Sequence, residues 1–250
     1  MTFYELFYRM IYRFEHPLYQ QISAVLKQYL LLNPGNDHGI KQKRIKKKVL
    51  DVGGRTSSYT IGLNADIVVS ELPRQSKVQK MKQLGVNREI IKKITTRRSN
   101  IISYVFDDMT RSKFSSNEFD IIVAVEVIEH VLEDHAFLRQ VKRVLTENGL
   151  FLLTTPNGDY VPNRNPDHKR HYGKRELQML LEKYFNNVTI VYAVLDTRNF
   201  KLGQYKWSLK HPIETVLSFY GFSRAKIESR DPVVAQKKSG TLHLVALCNE

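Results

Sequence analysis

Four apolar runs of this chain each finish on a carboxylate: Asp51 after "KVL", Glu71 after "IVVS", Asp107 and Asp108 after "ISYVF", and Glu126 after "IIVAV". A carboxylate only accepts hydrogen bonds, and its two oxygens can hold both hydroxyls of a ribose diol. Glu71 stands twenty residues beyond Asp51, the interval at which a dinucleotide fold sets the acid that binds the ribose. Asp108 is placed to accept from an exocyclic adenine amine. A single acid at a strand end usually caps the next helix. Four at one edge would make an acidic cleft in a chain whose formal net charge is +14. Such a cleft suits a ligand rich in hydroxyl and amino donors, a cation included.

The acids converge only if the runs that carry them are neighbouring strands. Residues 47–52, 66–72, 102–108, 119–127, 149–155 and 188–196 read as strands, and they are continuous Val/Ile/Leu stretches rather than alternating ones. That pattern marks parallel strands covered on both faces. Helical periodicity over 132–147 and 174–185 lies between them, and strand–helix alternation predicts a doubly wound parallel α/β sheet. Ligands of such sheets sit beyond the carboxyl ends of the strands, where the four acids fall. Residues 241–250 read as a last strand, and 197–238 as a loop-and-helix insertion. Residues 1–40 form an amino-terminal helical cap, two helices broken at His16-Pro17. Residues 41–250 form the sheet domain.

Composition narrows the class further. A chain of 250 residues suits one domain with extra helices. Its longest apolar runs are strand-length, so no transmembrane segment is expected. Cys248 is the sole cysteine, which rules out an internal disulfide and fits a cytoplasmic home, with peripheral membrane attachment as a variant. Basic residues concentrate at 41–48 and 74–98, the second holding nine against the single acid Glu89. Blocks of this kind meet phosphate-bearing partners, such as an anionic membrane surface or RNA, or simply solvate a face.

Taken together, "VLDVGGRTS", "VVSEL", "DDMTRSKFSSNEFDIIVAVEVIEHV" and "LTENGLFLLTTPN" resemble, in order and spacing, the class I S-adenosylmethionine-dependent methyltransferases of the type 11-like, Rossmann-like group. The resemblance implies a mostly parallel seven-stranded sheet whose last strand, "TLHLVALCNE", is reversed. It implies S-adenosylmethionine as cofactor. Asp51, Gly53 and Gly54 would then form the turn around its amino-acid end. Glu71 would hold the ribose, Asp108 and the Met109 backbone the adenine, and Glu126 with Val127 the methionine moiety. The family's usual loop is D-x-G-x-G-x-G, and here Arg55 and Ser57 replace the second and third glycines. A pyrophosphate could not tolerate that loss of backbone approach. S-adenosylmethionine has no phosphate, so Gly53 alone suffices and a nicotinamide dinucleotide is disfavoured. Ser57 would hold the following helix slightly away from the strand.

Methyl transfer from a sulfonium is an in-line displacement that depends mainly on positioning. A base is needed only for a poor nucleophile such as a hydroxyl. If a helix begins by Glu126, then Glu126, Glu129 and His130 share one face. His130 is then the candidate base and Glu129 the group that orients its ring. The same segment resembles a stretch of some quinone-pathway and small-RNA methyltransferases in which acids and a histidine hold a divalent ion. Here His168 and His171 would have to complete that set, and a hard ion prefers carboxylates and water to several imidazoles, so no metal ligand is assigned. "HYGKREL" resembles the family's opening of the next helix, which sets His168, His171 and Tyr172 at the border of the acceptor pocket. The acceptor is expected to be a small molecule, a lipid-linked intermediate or a glycan. An RNA methyltransferase using the basic clusters is the alternative, and a binding protein without catalysis is the third reading.

Overall fold

The computed structural model describes residues 2–11, 15–33, 46–73, 86–205, 208 and 210–250; 41–45 and 74–85 of the two basic clusters fall outside what it describes. Seven strands form one sheet: β1 (Lys48–Val52), β2 (Asp66–Glu71), β3 (Ile101–Phe106), β4 (Phe119–Val125), β5 (Leu145–Pro156), β6 (Asn187–Leu195) and β7 (Thr241–Asn249). Their order is β3-β2-β1-β4-β5-β7-β6. The strands from β3 to β5 are parallel, and β7 runs antiparallel to both β5 and β6. This is the expected fold, reversed last strand included.

The central strands are buried on both faces, so their successive residues enter opposite cores, whereas the edge strand β3 has no fully buried residue. Leu50, Ile122 and Phe151 pack on one side with Phe137, Leu138 and Val141 of α4 (Asp134–Val144) and Leu177 of α5 (Lys174–Leu181). Val49, Ile121 and Leu152 pack on the other. There they meet Leu18, Ile22 and Leu26 of α2 (Pro17–Leu32), and Ala225 of α7 (Pro212–Glu228). α2 is thus a layer of the sheet's own core, and only its first turn reaches the strand ends. The short helix α1 (Phe3–Ile11) instead docks beside α3 (Arg88–Arg97), where Glu5 Oε1 accepts from the Ser99 amide at 2.8 Å. The expected insertion carries α6 (Arg198–Gly203) and α7.

The largest departure from expectation comes directly after β1. No α-helix succeeds the glycine turn; a three-residue 3-10 turn, Gly54–Thr56, leads into turns that run to β2. The reason lies in the side chains that surround Asp51. Its buried carboxylate accepts from Ser57 Oγ at 2.5 Å, Tyr59 Oη at 2.8 Å and Thr60 Oγ1 at 3.1 Å. Arg98 closes the network from outside: Nη1 donates to the Ser57 carbonyl at 3.0 Å and Nη2 to Thr60 Oγ1 at 2.6 Å. Burial raises the Asp51 pKa, while these hydroxyls and the Arg98 charge oppose the rise. A regular helix would carry 57, 59 and 60 around its axis and could not aim all three hydroxyls at one acid. Side-chain bonding to Asp51 therefore replaces helical hydrogen bonding in this segment.

Asp51→Ala removes the common acceptor and leaves Arg98 buried without its counter-charge. Unfolding in urea should show a loss of about 3 kcal/mol; a loss under about 0.5 kcal/mol, the size of an ordinary surface change, would show that the network does not hold the turn.

Candidate active site

The sheet reverses its winding between β1 and β4, and the strand ends there stand level: Val52 pairs with Ser70 on one side and with Ala124 on the other. One residue further on, Gly53 adopts φ +70°, and its amide donates to the Ser70 carbonyl at 2.8 Å. A Cβ at this position would lie 3.0 Å from Val127 Cγ2. Glycine is required by both the left-handed backbone and the close approach. The turn opens a cavity of about 380 Å³ at the switch point, bordered by Gly53, Glu71, Asp108, Met109, Glu126 and Val127. His130 also reaches it.

Asp51 and Gly54 do not line this cavity, unlike the other predicted turn residue Gly53. Asp51 lies beneath the turn in the network above, and a Cβ on Gly54 would collide with its carboxylate. The two shape the site from below. Glu71 accepts from the Leu72 amide at 3.2 Å. Burial raises its pKa, and the Leu72 N–H and the Arg55 charge act against that. Asp108 caps its own turn, with Oδ1 accepting from the Thr110 amide at 3.1 Å and hydroxyl at 2.8 Å, and Oδ2 from Arg111 Nε at 3.0 Å. Its neighbour Asp107 also borders the cavity and keeps a buried oxygen, Oδ2, without a partner.

Glu126 sits at φ +54°, a conformation rarely taken by a residue other than glycine, asparagine or aspartate. That backbone stops a helix from starting here. Residues Ile128–His130 form a 3-10 turn and α4 begins only at Asp134, so the predicted helical face of Glu126, Glu129 and His130 does not exist. The turned backbone points Glu126 across to β5 and β7. Its Oε1 accepts from Thr154 Oγ1 at 2.9 Å and lies 3.2 Å from His243 Nδ1. Burial would raise its pKa, but His243 and Thr154 outweigh that and hold it below the ordinary value. His16 is next in line. Its Nδ1 accepts from the Leu18 amide, capping α2, and its ring stands 6.0 Å from that of His243 and 5.3 Å from those of Phe200 and Phe222. Sequence reasoning misses His16 and His243. The one signal for His243 is an imidazole set among the aliphatic residues of the last strand, and for His16 its place just before a helix-starting proline.

The residues assigned to chemistry divide four ways. His130 is exposed and borders the cavity, with Nδ1 3.2 Å from the Asp167 carbonyl. A carbonyl can only accept, so Nδ1 carries the proton and Nε2 presents a lone pair. The Asp167 carbonyl, not Glu129, orients the ring. Glu129 is 1% exposed and bonded through Oε2 to Thr155 Oγ1 at 3.2 Å, with Oε1 buried and unpartnered. Burial, then the charge of Glu126, lifts its pKa to about 9, so it holds a proton at neutral pH. His171 Nδ1 gives its proton to the Val161 carbonyl at 2.9 Å, and its Nε2 takes that of His168 Nδ1 at 2.7 Å. Among the described residues, Glu129, His130 and His168 offer ligand atoms within 4.8 Å of one another. One carboxylate and two imidazoles would suit a borderline divalent ion better than magnesium. Tyr172 is not a pocket residue. It is 1% exposed in the core, with its hydroxyl on Asp134 Oδ2 at 2.9 Å, because the chain turns inward to begin α5.

Comparison with known proteins agrees with this architecture. The profile of a family described as a methyltransferase domain matches residues 15–220. A probable S-adenosylmethionine-dependent methyltransferase of Mycolicibacterium smegmatis is 40% identical over 68 residues, which cover 25% of this chain and 26% of that protein. The chain therefore matches only about a quarter of that relative's length. Among solved structures, a SAM-dependent methyltransferase from Archaeoglobus fulgidus superposes with TM-score 0.56 at 15% identity, covering 99% of this chain and 100% of that one. The 1,6-didemethyltoxoflavin-N1-methyltransferase of Burkholderia thailandensis superposes with TM-score 0.54 at 14% identity, covering 93% and 77%. At these identities the superpositions speak for the fold.

The histidine pair gives a pH prediction. Burial, then the neighbouring His243, lowers the His16 pKa to about 3 from 6.5, against the pull of Glu126. The folded state thus refuses a proton that the unfolded chain accepts, and stability falls as pH drops below the unfolded value. His16→Asn keeps an acceptor for the helix cap. Between about pH 6 and pH 4 the wild type should lose about 1 kcal/mol per pH unit relative to this variant in urea titrations. Parallel pH profiles would mean that His16 titrates normally in the fold.

Proposed function

The chain belongs to the methyltransferase-domain family, and from that premise we propose that it transfers a methyl group from S-adenosylmethionine to a small-molecule acceptor. One observation carries the reading: a single cavity at the sheet's switch point gathers the Gly53 turn, Glu71 and Glu126 from the ends of three separate strands. In this reading Glu71 accepts from the ribose hydroxyls, and Asp107 or Asp108, with the Met109 backbone, receives the adenine. Gly53 brings the main chain against the amino-acid end of the cofactor. Glu126, kept ionised by His243 and Thr154, faces the sulfonium with Val127 and favours its positive charge. Asp51 and Gly54 act through the turn.

The displacement itself forms a bond from the acceptor's lone pair to the methyl carbon while the carbon–sulfur pair leaves with sulfur. No group on the protein gains or loses electrons, so the chain's task is alignment. His130 Nε2 takes the proton released by a hydroxyl or ammonium acceptor, and the Asp167 carbonyl stabilises the imidazolium that results. His168 and His171 border the acceptor beside it. The Burkholderia neighbour is named for 1,6-didemethyltoxoflavin, and a lipid-linked or glycan acceptor is the wider form of this reading. An RNA acceptor would instead draw on the basic clusters at 41–48 and 74–98, of which 46–48 and 86–98 lie among the described residues.

Calorimetry with S-adenosylmethionine tests the cofactor assignment. Glu71→Ala should weaken binding by about 1–3 kcal/mol, since it strips buried hydroxyls of their acceptor; an unchanged Kd would remove Glu71 from the ribose. For the base, His130→Ala should lower the rate of S-adenosylhomocysteine release by about 10²-fold or more, with cofactor affinity within about twofold of wild type. Full activity in that variant would return His130 to a structural role.

A further inference from the structure

A second cavity, of about 440 Å³, opens on the other side of the glycine turn, between that turn, α3 and α1. Its chemistry is the reverse of the first. Arg55, Lys93, Arg97 and Arg98 border it, and no acid does among the described residues. Lys93 and Arg97 are exposed on α3 at the mouth, whereas Arg98 forms the floor at 4% exposure. Burying a guanidinium is costly unless its donors are satisfied. Two of the Arg98 nitrogens are engaged with Ser57 and Thr60, but Nε has no acceptor. Ser58 Oγ, on the same wall, is also buried without a partner. A hydroxyl and a guanidinium N–H left over at the base of a cationic hollow lack the same thing, a multiply accepting anion.

We propose that this cavity binds the phosphate group of a small ligand, with Arg98 Nε and Ser58 Oγ donating at its base and Lys93 and Arg97 neutralising charge at its mouth. A phosphate dianion has three terminal oxygens carrying two charges, so it can meet several cations at once, whereas a carboxylate has two oxygens and one charge. The cavity's size admits a phosphomonoester rather than a polymer. Arg55 borders both cavities, so a ligand here lies one side chain away from the site assigned to the cofactor. Binding here depends on this cavity alone and does not require that assignment. The phosphate could belong to the acceptor or be free orthophosphate, and the two sources are separable.

The test is calorimetry on the full chain with sodium orthophosphate and, separately, glycerol 3-phosphate, at ionic strength balanced with chloride. Wild type should bind at least one of them with Kd at or below about 1 mM. Binding of both identifies free phosphate as sufficient, and binding of glycerol 3-phosphate alone identifies an organic phosphomonoester. Lys93→Gln/Arg97→Gln should weaken the binding by about tenfold or more, while S-adenosylhomocysteine binding and the thermal midpoint stay as in wild type. Lys93→Glu, a single exposed change, should act in the same direction and covers the case in which the double variant unfolds. No heat from either phosphate up to about 10 mM, or equal affinity in a folded variant, overturns the proposal. So does displacement of glycerol 3-phosphate by a short RNA at lower concentration, which would make the partner a polymer.

Discussion

The buried carboxylate of Asp51 is the constraint on which the site rests. Three hydroxyls and, through them, one arginine converge on it, and this fixes the chain after β1 into a tight non-helical turn. That turn sets Gly53 in its left-handed conformation against Val127. Val127 in turn comes after Glu126, whose own left-handed backbone swings its carboxylate toward Thr154 and His243. A glycine-rich loop would reach the same backbone path through conformational freedom. Here side-chain hydrogen bonds impose it, and Ser57, which stands in place of a glycine, is a donor in the network rather than a defect in the loop.

The turn also divides two fields of opposite sign. On one side the strand ends deliver Glu71, Asp107, Asp108 and Glu126; on the other, α3 and the residue after it deliver Lys93, Arg97 and Arg98. Arg55 stands between them. Charges of opposite sign held apart by one turn raise the local concentration of matching ligands on each side. The net charge of +14 thus conceals an acidic rim that composition alone would not suggest.

The sheet is legible in the chain because its strands are continuous apolar runs, and the order of the acids at their ends places the cavity. Glu71 needs only the strand pattern and its spacing from Asp51, whereas Gly53, Met109 and Val127 come from the family resemblance. The errors have a common origin in side-chain bonds that no periodicity reveals. Asp51 and Gly54 lie beneath the cavity because three hydroxyls compete for the acid. The helix expected from Glu126 fails because that residue bonds to β5 and β7, which lie far along the sequence. Glu129 has the spacing of a partner for His130, but burial beside Glu126 keeps it protonated and turned toward Thr155. Tyr172 carries a motif position yet belongs to the core. His16 and His243 come together only through the packing of α2 and the reversal of β7.

Whether one nucleoside spans the acids of neighbouring strands decides the function. A crystal structure of the chain with S-adenosylhomocysteine tests this most directly. The ribose oxygens should lie within hydrogen-bonding distance of Glu71, the adenine beside Asp107 and Met109, and the thioether sulfur facing Glu126. Density for the ligand in any other cavity, or against only one of those strands, would contradict it.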